Sequence, residues 1–300
     1  MGRGGEGNDR FYINGYSDWV NGGDGYDTIV VQGSEPVYID MNVSNIERAF
    51  GGVGNDYIYN DYGTVAVEVN AGAGNDWMVG GSANDTLRGG AGNDSFEGGS
   101  GADVIVGGDG IDMAYFSRSA TGVTVNLGTG IGSGGDAEGD HLSGIEFIQG
   151  SYYADTLIGN ATANRLEGWE GNDTLSGGKG DDILIGGNGS DLLIGGAGAD
   201  AFRFSSYDNG NDTIQDFQSG VDRIEILGWS YGGLPDGVLS ADLFALDAPA
   251  DDNDLFIFNT TTGVLSYDAD GIGSRAGVAI ATLNVRTLSA SNILSVPFGS

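Results

Sequence analysis

Apolar residues in this chain recur with a nine-residue rhythm, not the 3.6-residue rhythm of an amphipathic helix. In the register G-G-x-G-x-D-x-U-x, with U a large apolar residue, five copies run without a gap from 71 to 115: AGAGNDWMV, GGSANDTLR, GGAGNDSFE, GGSGADVIV and GGDGIDMAY. Six more fill 150 to 203: GSYYADTLI, GNATANRLE, GWEGNDTLS, GGKGDDILI, GGNGSDLLI and GGAGADAFR. GGEGNDRFY and GGDGYDTIV flank a degenerate copy, INGYSDWVN, that keeps Asp18 and Val20, and GGVGNDYIY stands alone at 51 to 59. The three residues after each Asp predict a short strand whose middle residue points inward. Met78, Leu87, Phe96, Ile105, Leu157, Leu166, Leu175, Leu184, Leu193 and Phe202 are then the expected core, with Ile183, Ile185, Leu192 and Ile194 on the outer face. Self-similarity at a fixed short period predicts an all-β solenoid, in which each repeat buries its apolar residue only against its neighbours.

Two stretches outside the nonads resemble each other. Val37–Met41 followed by Ser44-Asn45-Ile46-Glu47 leads into the copy at 51, as Val123–Leu127 followed by Ser143-Gly144-Ile145-Glu146 leads into the copy at 150. Ser44, Glu47, Gly51 and Asp56 each match a residue 99 positions later. Both stretches read as strands continuing the solenoid, with 128 to 142 as an exposed Gly-rich loop.

Composition narrows the chemistry. Of 300 residues 58 are Gly, which excludes a helical protein, since each Gly inside a helix costs roughly 0.5 to 1 kcal/mol relative to Ala. The 39% hydrophobic and 10% aromatic content excludes a disordered tail. Acidic residues outnumber basic ones 43 to 11, a formal charge of -32 that repels nucleic acid and anionic membranes. Asp beside Gly favours tight turns and short-reach oxygen ligation, for which a hard cation is the natural counterion. With no Cys there are no thiolate sites. The sequence has neither an apolar stretch of signal-peptide length at its start nor a run long enough to cross a membrane, so no membrane insertion is expected.

The nonads resemble the repeats-in-toxin (RTX) family of bacterial type I-secreted proteins. That resemblance implies a right-handed parallel β-roll in which two nonads make one turn, so that loops two nonads apart stack and hold calcium between them. The lower loop would give its second and fourth carbonyls and its Asp, and the upper loop its first and third carbonyls and its Asp. One implied site joins Gly72, Gly74 and Asp76 to Gly89, Ala91 and Asp94. Others join Gly81, Ala83 and Asp85 to Gly98, Ser100 and Asp103, and Gly90, Gly92 and Asp94 to Gly107, Asp109 and Asp112. In the later array Asp155 pairs with Gly168, Glu170 and Asp173, and Trp169, Gly171 and Asp173 pair with Gly186, Asn188 and Asp191. Gly178, Gly180 and Asp182 pair with Gly195, Ala197 and Asp200; near the start, Gly5, Gly7 and Asp9 pair with Gly22, Asp24 and Asp27. Asp56 with Asp76, whose spacing exceeds two nonads, is a looser candidate, and Asn164 below Asp182 lacks one charge. The expected cofactor is Ca2+, on the order of seven to ten ions with six to eight oxygens each.

From 204 the nonads stop. NDTIQDFQSGVDRIEIL, LFIFNTTTGVLSYDADGIG and ATLNVRTLSASNILSV resemble the C-terminal region of serralysin-type RTX proteins, which implies a β cap and an uncleaved export signal over 204 to 300. The chain thus divides into 1–70 (first repeats and connecting strands), 71–149 (first array with its connection and loop), 150–203 (second array) and the cap. The implied partners are calcium and a type I exporter, and the implied location is extracellular. Catalytic motifs are absent: there is no HExxH, GxSxG, P-loop or Cys nucleophile, and the single imidazole, His141, lies in the Gly-rich loop. The expected role is a calcium-binding module and not an enzyme. The alternatives are a surface-layer or adhesive protein contacting cell-surface or matrix components, and a non-catalytic module of a polysaccharide-modifying enzyme.

Overall fold

The computed structural model describes residues 2–15, 20–205, 210–273 and 277–297; Asp18 of the degenerate copy falls outside the described residues. The chain forms two units, Met1–Tyr152 and Tyr153–Ser300. Each is a parallel β-solenoid of short strands, and the one α-helical segment among the described residues is the single turn Met41–Ser44, capped by the Asp40 side chain.

In the first unit successive strands alternate between two parallel stacks. One stack contains Arg10–Ile13, Thr28–Val31, Arg48–Phe50, Glu68–Ala73, Thr86–Ala91, Val104–Asp109 and His141–Ser143. The other contains Tyr38–Asp40, Tyr57–Tyr59, Trp77–Val79, Ser95–Glu97, Met113–Tyr115 and Phe147–Gln149. Within the uninterrupted array, each residue pairs with the one two nonads along the chain, as in Leu87 beside Ile105 and Phe96 beside Met78. Two nonads therefore make one turn, because the loop part of each nonad reverses the chain and its strand part fills one side of the coil. Met78, Leu87, Phe96 and Ile105 are sealed between the stacks, at 0 to 1% exposure. On the outer face the same register stacks Tyr38 on Tyr57 with rings 5.3 Å apart and nearly parallel, and sets Tyr57 against Trp77.

Each of the two connecting stretches contains the strand read for it, followed by a feature the sequence reading lacked. Tyr38–Asp40 does join the coil, but the residues after it form the helical turn. Thr124–Asn126 is a strand as expected and also pairs antiparallel with Ile131–Ser133, after which a 3-10 turn at Gly135–Ala137 returns the chain to His141. The stretch 128 to 142 is therefore a packed hairpin excursion: Ala137, Asp140 and Leu142 are buried while His141 is exposed.

The second unit repeats the plan. Thr156–Ile158, Thr174–Lys179, Leu192–Ala197, Asp212–Ile214 and Val278–Leu283 form one stack. Arg165–Glu170, Ile183–Asn188, Ala201–Phe204, Arg223–Leu227 and Ile293–Val296 form the other. The coil thus runs past the last nonad into 212–227, and Val278–Val296 add one more turn after an excursion containing Phe244–Leu246, Phe256–Phe258 and Val264–Tyr267. Arg203 and Glu225, both buried, form an ion pair at 2.8 Å that Arg223 extends from the half-buried edge.

Leu184 is fully buried and its neighbour Ile185 half-buried. Leu184→Ala is expected to cost about 2 to 5 kcal/mol of calcium-saturated stability in denaturant titrations, and Ile185→Ala clearly less. Equal losses would show that the alternation in this strand is misassigned.

Candidate metal centres along the loop edges

At each loop edge the aspartates form a column. The backbone amide of one donates to Oδ1 of the residue one turn later: Asp9 to Asp27 at 2.7 Å, Asp76 to Asp94 and Asp94 to Asp112 at 2.8 Å, and Asp85 to Asp103 at 2.7 Å. In the second unit Asp155 donates to Asp173 and Asp173 to Asp191 at 2.8 Å, Asn164 to Asp182 at 2.7 Å and Asp182 to Asp200 at 3.0 Å. Asp56 donates to Asp76 at 2.7 Å despite their wider spacing. The structure therefore brings together every carboxylate pair expected from the repeats.

The second oxygen of each carboxylate separates the loops into two kinds. In open loops, Oδ2 of Asp9, Asp27, Asp76, Asp94, Asp103, Asp112, Asp173, Asp182 and Asp200 is buried without a hydrogen-bond partner. These side chains are almost fully buried except for Asp9, which is half-buried. In closed loops the carboxylate turns back on its own backbone: Asp56 Oδ2 accepts from Gly52 N at 3.0 Å and Asp85 Oδ2 from Gly81 N at 2.7 Å, as Asn164 Oδ1 does from Asn160 N at 2.8 Å. Asp56 and Asp85, expected as ligands, thus have their oxygens engaged by backbone amides. Gly81 and Ala83, expected to ligate with Asp85, belong to this closed loop.

Backbone conformation accounts for the difference. In the open loop 89–94, Gly90 and Gly92 have φ values of 118° and 130°, closed to residues with a Cβ. A Cβ there would also overlap the carbonyl oxygens of Gly72 and Gly74 below. Closed loops 51–56, 80–85 and 159–164 have no residue in this region, and their second amide is left facing the carboxylate. Trp169, at the second position of 168–173, adopts φ 84° without being Gly, a strained conformation held by the loops around it.

Open and closed loops alike bring oxygens together at their first glycine. A Cβ on the first glycine would run into that loop's own Asp Oδ2 and the first carbonyl of the loop above: Asp9 and Gly22 around Gly4, Asp173 and Gly186 around Gly168, Asp182 and Gly195 around Gly177. The third-position carbonyls of Asp24, Ala91, Asp109, Asn188 and Ala197 each accept an amide of the loop below, which leaves one lone pair. No three acidic side chains converge among the described residues, so such a site is mostly carbonyl, a donor set suited to a hard cation such as calcium and unsuited to softer metals.

Burial away from water pushes these carboxyls up from their ordinary 3.8, against the lowering effect of the amide bonds, and like-charged neighbours add to the rise. Asp76 is raised to about 7, Asp103 to about 8, Asp112 to about 6, Asp173 to about 8 and Asp182 to about 6. A buried carboxylate without a counter-charge is unfavourable, so the fold fits a bound cation at these oxygens.

Sequence reading missed Glu47, Asp140, Glu146, Asp212 and Asp222, which continue the columns. The last two carried a signal, because NDTI and VDRI keep the D-x-U end of a nonad. Asp268 and Asp270 form a local turn in which the Asp270 amide donates to Asp268 Oδ1.

The family model of the RTX calcium-binding nonapeptide repeat, in four copies, matches residues 12–30, 68–87, 79–114, 142–175 and 170–202. None of the curated proteins compared with the chain matches it. Among solved structures, the AlgE6R3 subunit of the Azotobacter vinelandii mannuronan C5-epimerase is 30% identical over 47% of this chain and 78% of that one, with a TM-score of 0.32. The extracellular lipase LipA of Serratia marcescens is 18% identical over 80% of this chain and 45% of that one, with a TM-score of 0.26.

Because the folded carboxyls titrate above their unfolded value, protons stabilise the metal-free coil fully below about pH 4, and that contribution is lost as pH rises through about 6 to 8. In excess chelator the β signal in circular dichroism is expected to be stronger at pH 5 than at pH 8. A signal no stronger at pH 5 would contradict the burial of these carboxyls.

Proposed function

Because the chain belongs to the family of RTX calcium-binding repeat proteins, we propose that it is an extracellular β-roll module of a bacterial protein, exported by a type I system and folded on meeting calcium outside the cell. The observation that carries this reading is the set of buried, unpartnered Oδ2 atoms in the open loops. They place like charges one turn apart, and among the described residues no Lys or Arg side chain forms an ion pair with them.

Calcium, when bound, supplies the positive charge that offsets those columns. In the first unit the residues to hold it are Gly5, Gly7 and Asp9 with Gly22, Asp24 and Asp27; Gly72, Gly74 and Asp76 with Gly89, Ala91 and Asp94; and Gly90, Gly92 and Asp94 with Gly107, Asp109 and Asp112. In the second they are Gly168, Glu170 and Asp173, with Trp169 and Gly171 facing Gly186, Asn188 and Asp191, and Gly178, Gly180 and Asp182 with Gly195, Ala197 and Asp200. Gly98, Ser100 and Asp103 form an open loop above the closed loop of Asp85. On this reading a chain carrying -32 formal charge stays unfolded where calcium is scarce, the state an export channel requires. The carboxylates are assigned to the cation, and no turnover is ascribed to the module.

Excess chelator at neutral pH is expected to leave the purified chain largely without β structure, and added calcium to restore it; a spectrum unchanged after confirmed calcium loss would overturn the proposal. Asp94→Ala, which touches two sites, should lower calcium stoichiometry by native mass spectrometry more than Asn164→Ala, whose loop is closed. Equal stoichiometry in the two variants would count against the stacked pairing.

A further inference from the structure

The resemblance between the two Ser-x-Ile-Glu connections is not explained by the nonads, since neither Glu47 nor Glu146 lies in one. Each occupies the equivalent place at the loop edge of its own stack. The Asp27 amide donates to Glu47 Oε2 at 2.6 Å and the Asp112 amide to Glu146 Oε2 at 3.0 Å. The carbonyl of Asp27 accepts the amides of Glu47 and Arg48, and that of Asp112 those of Glu146 and Phe147. Ile46 and Ile145, at 2% and 1% exposure, pin each connection to the core. Before them Asn45 and Gly144 take left-handed φ values of 48° and 63°. This turn aims their carbonyls at the loop below: a Cβ on Gly22 would overlap Asn45 O and Asp27 Oδ2, and one on Gly107 would overlap Gly144 O and Asp112 Oδ2.

A third carboxylate outside the repeats sits likewise. The hairpin excursion returns through Asp140, whose Oδ1 accepts the Asp103 amide at 2.8 Å and whose Oδ2 is buried and unpartnered. Below Asp103 lies the closed loop of Asp85, so the available neighbour of the open loop 98–103 is Asp140. Asp27, Asp103, Asp112 and Asp140 are all 0% exposed, each with one oxygen lacking a donor.

We propose that Glu47, Asp140 and Glu146 each complete a calcium site, above Asp27, Asp103 and Asp112 respectively. The inference rests on the calcium-binding reading above and extends it: the connections between arrays are the last ligand-bearing loops of the columns they interrupt. The lower loops would contribute the second and fourth carbonyls, those of Gly23 and Gly25, Gly99 and Gly101, and Gly108 and Gly110. All six glycines are at positive φ as in the other open loops.

The test is native mass spectrometry of the full chain at saturating calcium. Glu47→Gln, Asp140→Asn and Glu146→Gln should each carry one ion fewer than the wild type. Each amide side chain keeps an oxygen for the amide of the turn below, and circular dichroism in calcium should confirm an intact coil. Glu138→Gln, which alters an exposed carboxylate bonded to Gly134 N, should keep the full complement. A full complement in all three variants, with Asp94→Ala still losing ions, would overturn this inference and leave the module reading standing; a wild type that binds no calcium would overturn both. Should the variants fail to fold, anomalous scattering from wild-type crystals grown in calcium decides the matter. Density beside Asp112 and Glu146 would support the sites, and its absence in an otherwise loaded crystal would refute them.

Discussion

A buried carboxylate column is the constraint on which the rest of this structure depends. Each aspartate gives its amide to the carboxylate one turn later, which fixes the register at two nonads per turn and leaves a second oxygen facing other oxygens. Hydrogen bonds between turns and repulsion between charges are therefore built from the same side chain. Short strands with one inward residue each bury little apolar surface per turn, so the coil depends on what neutralises its edges. Elsewhere in the second unit the fold answers a buried carboxylate with a side-chain cation: Glu225 is paired with Arg203 and Arg223. In the open loops no such pairing is seen among the described residues, and backbone carbonyls surround the charge instead.

Glycine conformation decides which loops take part. Where the second and fourth positions adopt positive φ, Oδ2 is left without a donor; where they do not, the second amide closes on the carboxylate. The closed loops of Asp56, Asp85 and Asn164 engage their own side-chain oxygens with backbone amides. Their sequences explain this only in part. GGVGND has the full glycine pattern and yet closes, against a turn whose distance along the chain departs from the regular two-nonad spacing. Extra residues in a neighbouring turn change how the loops stack, and the backbone follows.

Departures from the repeat are absorbed without breaking the stacks. In the first unit the excursion through the hairpin re-enters in register, His141 beside Val104 and Leu142 beside Ile105. In the second, a much longer excursion ends with Val278–Leu283 beside Asp212–Ile214. Both returns put an inward apolar residue where the next core position falls, which is the condition for continuing a solenoid.

The sequence by itself determined an all-β solenoid and its core, because the nine-residue rhythm places one large apolar residue in every short strand, while the parallel two-nonad turn and the pairing of its aspartates came from the family resemblance that the nonads carry. Leu87, Phe96, Leu175 and Leu184 could be placed inside from spacing alone, and calcium from Gly-Asp chemistry together with the family resemblance. Only the tertiary structure decided which loops are open, that 128 to 142 folds back as a hairpin, and that 204 onward continues the coil. It also decided that Glu47, Asp140 and Glu146 stand at the head of their columns. These outcomes depend on contacts between turns far apart in the chain, Met113 with Phe147, Val104 with His141 and Asp212 with Ala281, which no periodicity reports. The chain pattern sets what each turn is made of, and stacking against the turns on either side sets what its oxygens are left to bind.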